Sequence, residues 1–292
     1  LYLLGPTVVT NTVYDAGWSV KDIFPLNSCG VSTGRDAFVI DTDKTVLDSR
    51  LRDFSDLQKS DTEIRTKYGL KDNRDWSMSE ARKRTAAEGV REDLLIPIMY
   101  RPLDTRTIYF SKREIDRPLA EVMQHLLDPN SGNLGLLTCR QQSKVGFQHV
   151  GVSNTANESG AVSNRSRERT YTFPLYLLPA ASEDEGGLSS FLPVSASPTP
   201  NLSDGFIKAF SKATGLSYDP ACPKTAGDDF KTSWTPLDLL HYIYGLMHDP
   251  AYREYYAEFL KRDYPKILLP TLETLDKARI YRALGQTLVD LH

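Results

Sequence analysis

The chain has 292 residues, 40% of them hydrophobic and 25% charged, and a net charge of −3. That length can bury a sizeable core as one large or two medium domains. The acidic balance excludes general adhesion to nucleic acid, so any such contact must come from a local basic patch. Cys29, Cys139 and Cys222 are distant from one another and form no CxxC pair, which argues against a disulfide framework or a zinc site and for a reducing, cytoplasmic setting. No apolar run approaches the roughly 20 residues of a membrane span. The start, LYLLGPTVVTNTVYDAG, lacks an initiating Met, a basic region and a cleavage site, and the chain stops inside a helical pattern at Leu291-His292. It therefore reads as a piece of something longer.

In residues 1–50, short apolar runs at Thr7–Thr10, Ile23-Phe24 and Ala37–Ile40 read as strands joined by turns. Between the last two lies Gly30-Val31-Ser32-Thr33-Gly34-Arg35-Asp36, whose glycines can bring small hydroxyls and Arg35 close to a ligand. It lacks the spacing and the lysine of a Walker loop. Residues 51–93 carry two helical stripes, one through Phe54, Leu57, Ile64 and Tyr68 and one over Ser77–Val90. Both read as largely solvated helices without chemistry.

Leu94–Phe110 (LLIPIMYRPLDTRTIYF) is the most informative stretch. Apolar runs at Leu95–Tyr100 and Thr107–Phe110 flank the polar segment Arg101–Arg106. Pro102 removes a backbone donor and interrupts the ladder between the runs. Two guanidiniums and the Asp104 carboxylate are then presented from a rigid base. Arginine's planar fork suits phosphate oxygens or the O6/N7 edge of guanine. A plain structural ion pair with Asp104 is the competing reading.

Arg117–Leu127 predicts a helix, with Pro118 near its start; His125 beside its apolar face reads as a packed or capping residue. Leu134–Thr138 is a short buried strand that delivers Cys139-Arg140-Gln141-Gln142-Ser143-Lys144. From Thr138 to Arg169, the basic residues Arg140, Lys144, Arg165, Arg167 and Arg169 face only Glu158 and Glu168. Side chains of these types contact phosphates and base edges, although a solvated surface loop has the same composition. Tyr171–Pro179, interrupted by Pro174, predicts an edge or terminal strand. Residues 181–203 are acidic and then Ser/Pro-rich, as in a linker.

From Asn201 the pattern turns helical. Thr235-Pro236-Leu237-Asp238 carries a capping-box start. A Tyr-rich stripe follows at Tyr252, Tyr255, Tyr256, Phe259 and Leu260, and a last helix begins near Leu272 with Leu275, Ile280, Leu284, Leu288 and Leu291 expected inward. The pattern predicts an α+β chain. A mixed α/β recognition region fills 1–180, a linker 181–203, and a helical region 204–292 braces the sheet. The sequence holds no HExxH or GxGxxG motif and no acidic run at metal-binding spacing, and no catalytic or metal-binding residue is expected in this segment.

Thr235–Pro270 (TPLDLLHYIYGLMHDPAYREYYAEFLKRDYPKILLP) resembles the helical signature near the C-terminus of Type ISP restriction–modification enzymes and related single-chain adenine-methylating restriction enzymes. GVSTGRD (Gly30–Asp36), YRPLDTR (Tyr100–Arg106), NLGLLTCRQ (Asn133–Gln141) and FPLYLLP (Phe173–Pro179) follow the same order upstream. In that family, nuclease, helicase-like ATPase and N6-adenine methyltransferase regions precede a C-terminal specificity domain. The resemblance therefore implies double-stranded DNA and the methyltransferase domain of the same parent chain as partners. S-adenosylmethionine, ATP and Mg would be cofactors of the parent and not of this segment. It also implies Arg101, Arg106 and Arg140 as base or phosphate forks and Gln141 and Gln142 as adenine readers. Ser32, Thr33, Arg35 and Lys144 would hold the DNA backbone, with Asp36 and Asp104 orienting the arginines. The alternative is a protein-interaction scaffold with no DNA readout.

Overall fold

The computed structural model describes residues 11–144, 146–165, 168–179, 197–220 and 229–291. The strand expected at Thr7–Thr10, most of the 181–203 linker, Arg167 and Cys222 lie outside the described residues. The strands that position the site are β1 (Trp18–Ser19), β2 (Ser28–Cys29), β3 (Ile40–Asp41), β4 (Leu95–Arg101), β5 (Asp104–Tyr109), β6 (Gly135–Cys139), β7 (Val150–Ser153), β8 (Ala156–Asn157), β9 (Thr170–Pro174) and β10 (Lys266–Ile267). The longer helices are α1 (Lys44–Ser55), α2 (Asp61–Tyr68), α3 (Met78–Glu88), α4 (Asp204–Thr214), α5 (Pro236–His248) and α6 (Leu275–Asp290).

Two four-stranded sheets result, in the orders β2-β9-β6-β7 and β3-β5-β4-β8. The first is antiparallel throughout; in the second, β4 pairs with β8 in parallel and with β5 antiparallel. The β4–β5 hairpin closes on the two-residue turn Pro102-Leu103, with Arg101 opposite Asp104. The polar segment is thus mostly strand: Thr105 and Arg106 already belong to β5, and only the turn stands clear of the ladder.

The apolar interior forms two clusters. One gathers Val31, Phe38, Leu47, Phe54, Ile64, Ile98, Ile108 and Met123 between α1–α3 and the hairpin sheet. The other packs Leu136, Val152 and Phe173 of the β6 sheet against Phe206, Phe210, Leu239, Ile243 and Leu260, and takes in Tyr14, Val20 and Phe24 from the chain's beginning. The interior therefore divides differently from a 1–180 and 204–292 split: the N-terminal turns and the β6 sheet share a core with the C-terminal helices. This makes an α+β fold with mixed sheets.

Local signals behave as their chemistry dictates. Thr235 and Asp238 form the capping box that opens α5, and the left-handed Gly215 closes α4. Other expectations change. Val20–Ile23 and Asp36–Val39 are single helical turns beside β1 and β3 rather than strands. Only Ala120–Met123 of the 117–127 segment is α-helical, because Leu119 enters with φ of 51°. β9 sits between β2 and β6, not at an edge; Pro174 ends the strand opposite Gly135, where its missing donor interrupts nothing further. Tyr255 is exposed, because Pro250–Tyr255 and Ala257–Leu260 are two short helices rather than one. Ile280 and Leu284 face outward on α6, and Leu291, just past its end, is exposed. Among the described residues, no helix is long and apolar enough to cross a membrane.

Candidate nucleic-acid interface

Tyr100, near the end of β4, is the base on which the hairpin's cations rest. The Arg101 and Arg106 guanidinium carbons lie 4.1 and 3.9 Å from its ring centroid, within the range of cation–π attraction. Arg106 forks onto Asp104, Nε to Oδ1 at 3.0 Å and Nη2 to Oδ2 at 2.7 Å. That guanidinium holds the Asp104 carboxyl below the usual carboxylate range. Arg101 donates from Nη1 to Glu158 Oε2 at 2.7 Å. Both arginine side chains are about one-third exposed, at 34% and 32%, so they are fixed in place and still reachable.

The Gly30–Asp36 loop supports this hairpin from behind. The Tyr100 hydroxyl donates to Asp36 Oδ2 at 3.2 Å, and Thr33 Oγ1 donates to the other Asp36 oxygen. Asp36 therefore orients Tyr100 and not an arginine. The Arg35 guanidinium stacks 3.7 Å from the Trp76 ring and bonds the Thr33 and Glu114 carbonyls and the Asp116 carboxylate. With its side chain only 6% exposed, Arg35 pins the loop to the 114–116 segment. Thr33 is buried, and the Ser32 backbone bridges to Arg117. Gly34 has φ of +71°, and a side chain there would strike the Asp116 carboxylate.

The second basic element is the 139–144 tip at the end of β6. Arg140, about half exposed, bonds Asp263 Oδ1 at 3.1 Å. Gln141, Ser143 and Lys144 are exposed. Gln142 is buried: its amide N–H reaches the Lys261 carbonyl at 3.0 Å and its Nε2 the Leu260 carbonyl at 3.1 Å. It fastens the tip to the C-terminal helices, which leaves Gln141 as the glutamine open to solvent.

Glu168 ties this tip to the next loop. Its Oε1 accepts from the Ser143 backbone N–H at 2.6 Å and from the Ser143 hydroxyl, and its Oε2 accepts from Ser163 Oγ at 2.6 Å and faces His149 Nε2 at 2.8 Å. Burial alone would raise the Glu168 pKa, but these donors outweigh it and hold the carboxyl at about 2. Arg165 donates to Ser143 Oγ at 3.1 Å and adds an exposed cation beside the tip. Glu158 and Glu168 thus sit in one segment, one holding Arg101 and the other holding the tip.

The sequence reading missed three contributors. Glu168 was counted only as a charge against the basic run. Lys261 and Arg262, assigned to the bracing helices, line a cleft with Gln141, Gln142 and Ser143; the adjacent pair of cations after Phe259-Leu260 was their only signal. His125 and His241 behave as packing groups: burial lowers both to about 4, and His125 Nδ1 accepts from the Leu178 N–H at 2.9 Å. Among the described residues, no cluster of His, Cys, Asp and Glu is placed to hold a metal.

Three solved structures share the fold. A cryo-EM structure of a DrdV–DNA complex matches with a TM-score of 0.62 at 21% identity, over 92% of this chain and 23% of that one. LlaBIII, an ATP-dependent Type ISP restriction-modification enzyme bound to DNA, matches with a TM-score of 0.63 at 19% identity, over 97% and 17%. A nuclease-deletion mutant of the Type ISP restriction-modification enzyme LlaGI, in complex with a DNA substrate mimic, matches with a TM-score of 0.58 at 20% identity, over 97% and 20%. The chain thus spans about a fifth of the length of these proteins. No curated protein matches it. A family model of the Type ISP C-terminal specificity domain matches residues 22–292, and the chain belongs to that family.

Proposed function

We propose that this chain reads the sequence of double-stranded DNA for a restriction–modification enzyme. The methyltransferase, ATPase and nuclease parts of that enzyme, with their S-adenosylmethionine, ATP and Mg, lie elsewhere in the parent polypeptide. The observation that carries the reading is the pair of guanidiniums stacked on Tyr100 at the end of a hairpin anchored in the core. A two-stranded ribbon fits the major groove, where arginine pairs bidentately with guanine and glutamine with adenine. Family membership and the DNA-bound state of the three similar structures support it.

The energetics favour exchange of partners. A pair about one-third exposed, such as Arg106–Asp104, is worth about 0–1 kcal/mol, whereas a bidentate arginine–guanine contact discriminates by about 1–3 kcal/mol. Asp104 therefore keeps Arg106 ordered in the free protein and releases it at low cost to a base edge. Arg140, Lys144, Arg165, Lys261 and Arg262 take phosphates, and Gln141 takes a base edge. Ser32, Thr33 and Arg35 act behind the surface by holding the loop that fixes Tyr100. The parent's methyltransferase must act on an adenine rotated out of the duplex, so sequence reading beside it sets which adenine is presented. The helical part braces the sheet against that neighbouring domain.

The test is binding by the full-length protein to a duplex it selects from a randomised library, compared with a scrambled duplex. Arg106→Ala is expected to lower the ratio of the two affinities by about tenfold, and Arg140→Ala to weaken both duplexes alike. If neither affinity nor preference moves in either variant, this assignment is overturned.

A further inference from the structure

We propose that Leu103 is a wedge that enters the DNA base stack when the hairpin engages its site, an inference that rests on the DNA-reading function above. Leu103 is 78% exposed, the most exposed of the large apolar side chains among the described residues. It occupies the second position of the Pro102-Leu103 turn with φ of 60°. Side chains of L-residues are strained there, and glycine or asparagine is the low-cost occupant. Leu103 belongs to neither apolar cluster, so no packing in the free protein offsets the strain. A backbone-strained, solvent-facing leucine at a loop tip is accounted for by a contact made only in a complex.

The surroundings specify the kind of complex. Below the tip, Ile98 and Ile108 are fully buried and Tyr100 is tied to Asp36, so the ribbon that carries Leu103 is stiff. Arg101 precedes the turn and Arg106 follows it, both stacked on Tyr100. An apolar point flanked by two guanidiniums has the composition of the wedges that minor-groove proteins push between base pairs, delivered here from the major-groove side while the arginines hold base edges and phosphates. The two guanidiniums beside the leucine give the tip a local positive charge that matches a polyanion. By opening one step, the wedge would bias reading toward steps that unstack easily, giving specificity at base pairs that no side chain contacts.

The experiment uses the full-length protein and the duplex it selects from a randomised library, with 2-aminopurine substituted at each adenine in turn; this base brightens when unstacked. The wild type is expected to brighten at least one position besides the adenine that the methyltransferase rotates out. Leu103→Gly relieves the backbone strain, so its thermal midpoint should match or exceed the wild type. It should lose that brightening and bind the selected duplex about tenfold more weakly, with affinity for a scrambled duplex unchanged. Leu103→Phe should retain the brightening. If Leu103→Gly preserves both the brightening away from the rotated adenine and the preference, or if the wild type selects a duplex and brightens no position other than that adenine, the wedge is overturned while the DNA reading stands. A wild type that selects no duplex overturns both.

Discussion

Glu168 carries its charge inside the protein because donors from three separate segments surround it: Ser143, His149 and Ser163. A carboxyl held at about 2, against an ordinary 4.5, contributes stability that is fully present above the ordinary value. That contribution fades as pH falls from there through about 2. The linkage is worth at most about 3 kcal/mol. Glu168→Gln keeps the shape but turns an amide donor toward other donors. It is therefore expected to lower stability near neutral pH by about 2 kcal/mol and to flatten the acid limb, checked by thermal melts between pH 3 and 7. At this scale the sequence was only partly legible. It supplied the right residue types in the 138–169 stretch but not their depth. Arg35, Thr33 and Gln142 turned inward because their partners, Glu114, Asp116 and the Leu260–Lys261 carbonyls, are far away in the chain and no local pattern announces them.

Among elements, the crossing of α5 and α6 has the tightest requirement. A Cβ on Gly285 would collide with the His241 carbonyl, and one on Gly245 with the Tyr281 carbonyl. In an ordinary helix Gly→Ala gains about 1 kcal/mol. Here Gly285→Ala is expected to lose about 3 kcal/mol by overpacking, which thermal denaturation would register as a fall of about 6–10 °C. The same crossing explains why the inward face of the last helix was read only in part. Ala278, Arg282 and Gly285 form the buried face because two backbones this close leave room only for small residues and one paired guanidinium, Arg282 on Asp238 and Asp229. Ile280 and Leu284 were displaced outward, while Leu275 is buried and Leu288 packs against the core as expected. By contrast, the β4–β5 hairpin and the start of α5 were legible, since the two apolar runs, Pro102 and the Thr235–Asp238 box are local instructions that packing did not override.

Across the whole molecule, the net charge of −3 makes DNA attraction a property of one patch and not of the surface. The salt dependence of binding should therefore report that patch residue by residue. Lys144→Ala is expected to reduce the slope of log affinity against log salt by about one unit and leave the ratio between selected and scrambled duplexes unchanged, measured by titrations from low to moderate salt. The composition and the helical C-terminus indicated an α+β chain, yet the sharing of one core between residues 14–24, the β6 sheet and the 202–278 helices was hidden. Periodicity reports which face of an element is apolar, never which distant element will cover it.

β1 pairs with β10, and Tyr14 stacks against Tyr256 and Phe259, so the opening and closing stretches are stitched to each other. A specificity graft between relatives that stopped at residue 180 would transplant a sheet stripped of its cover and a beginning without its mate. To move the DNA preference intact, the exchange has to carry both ends together.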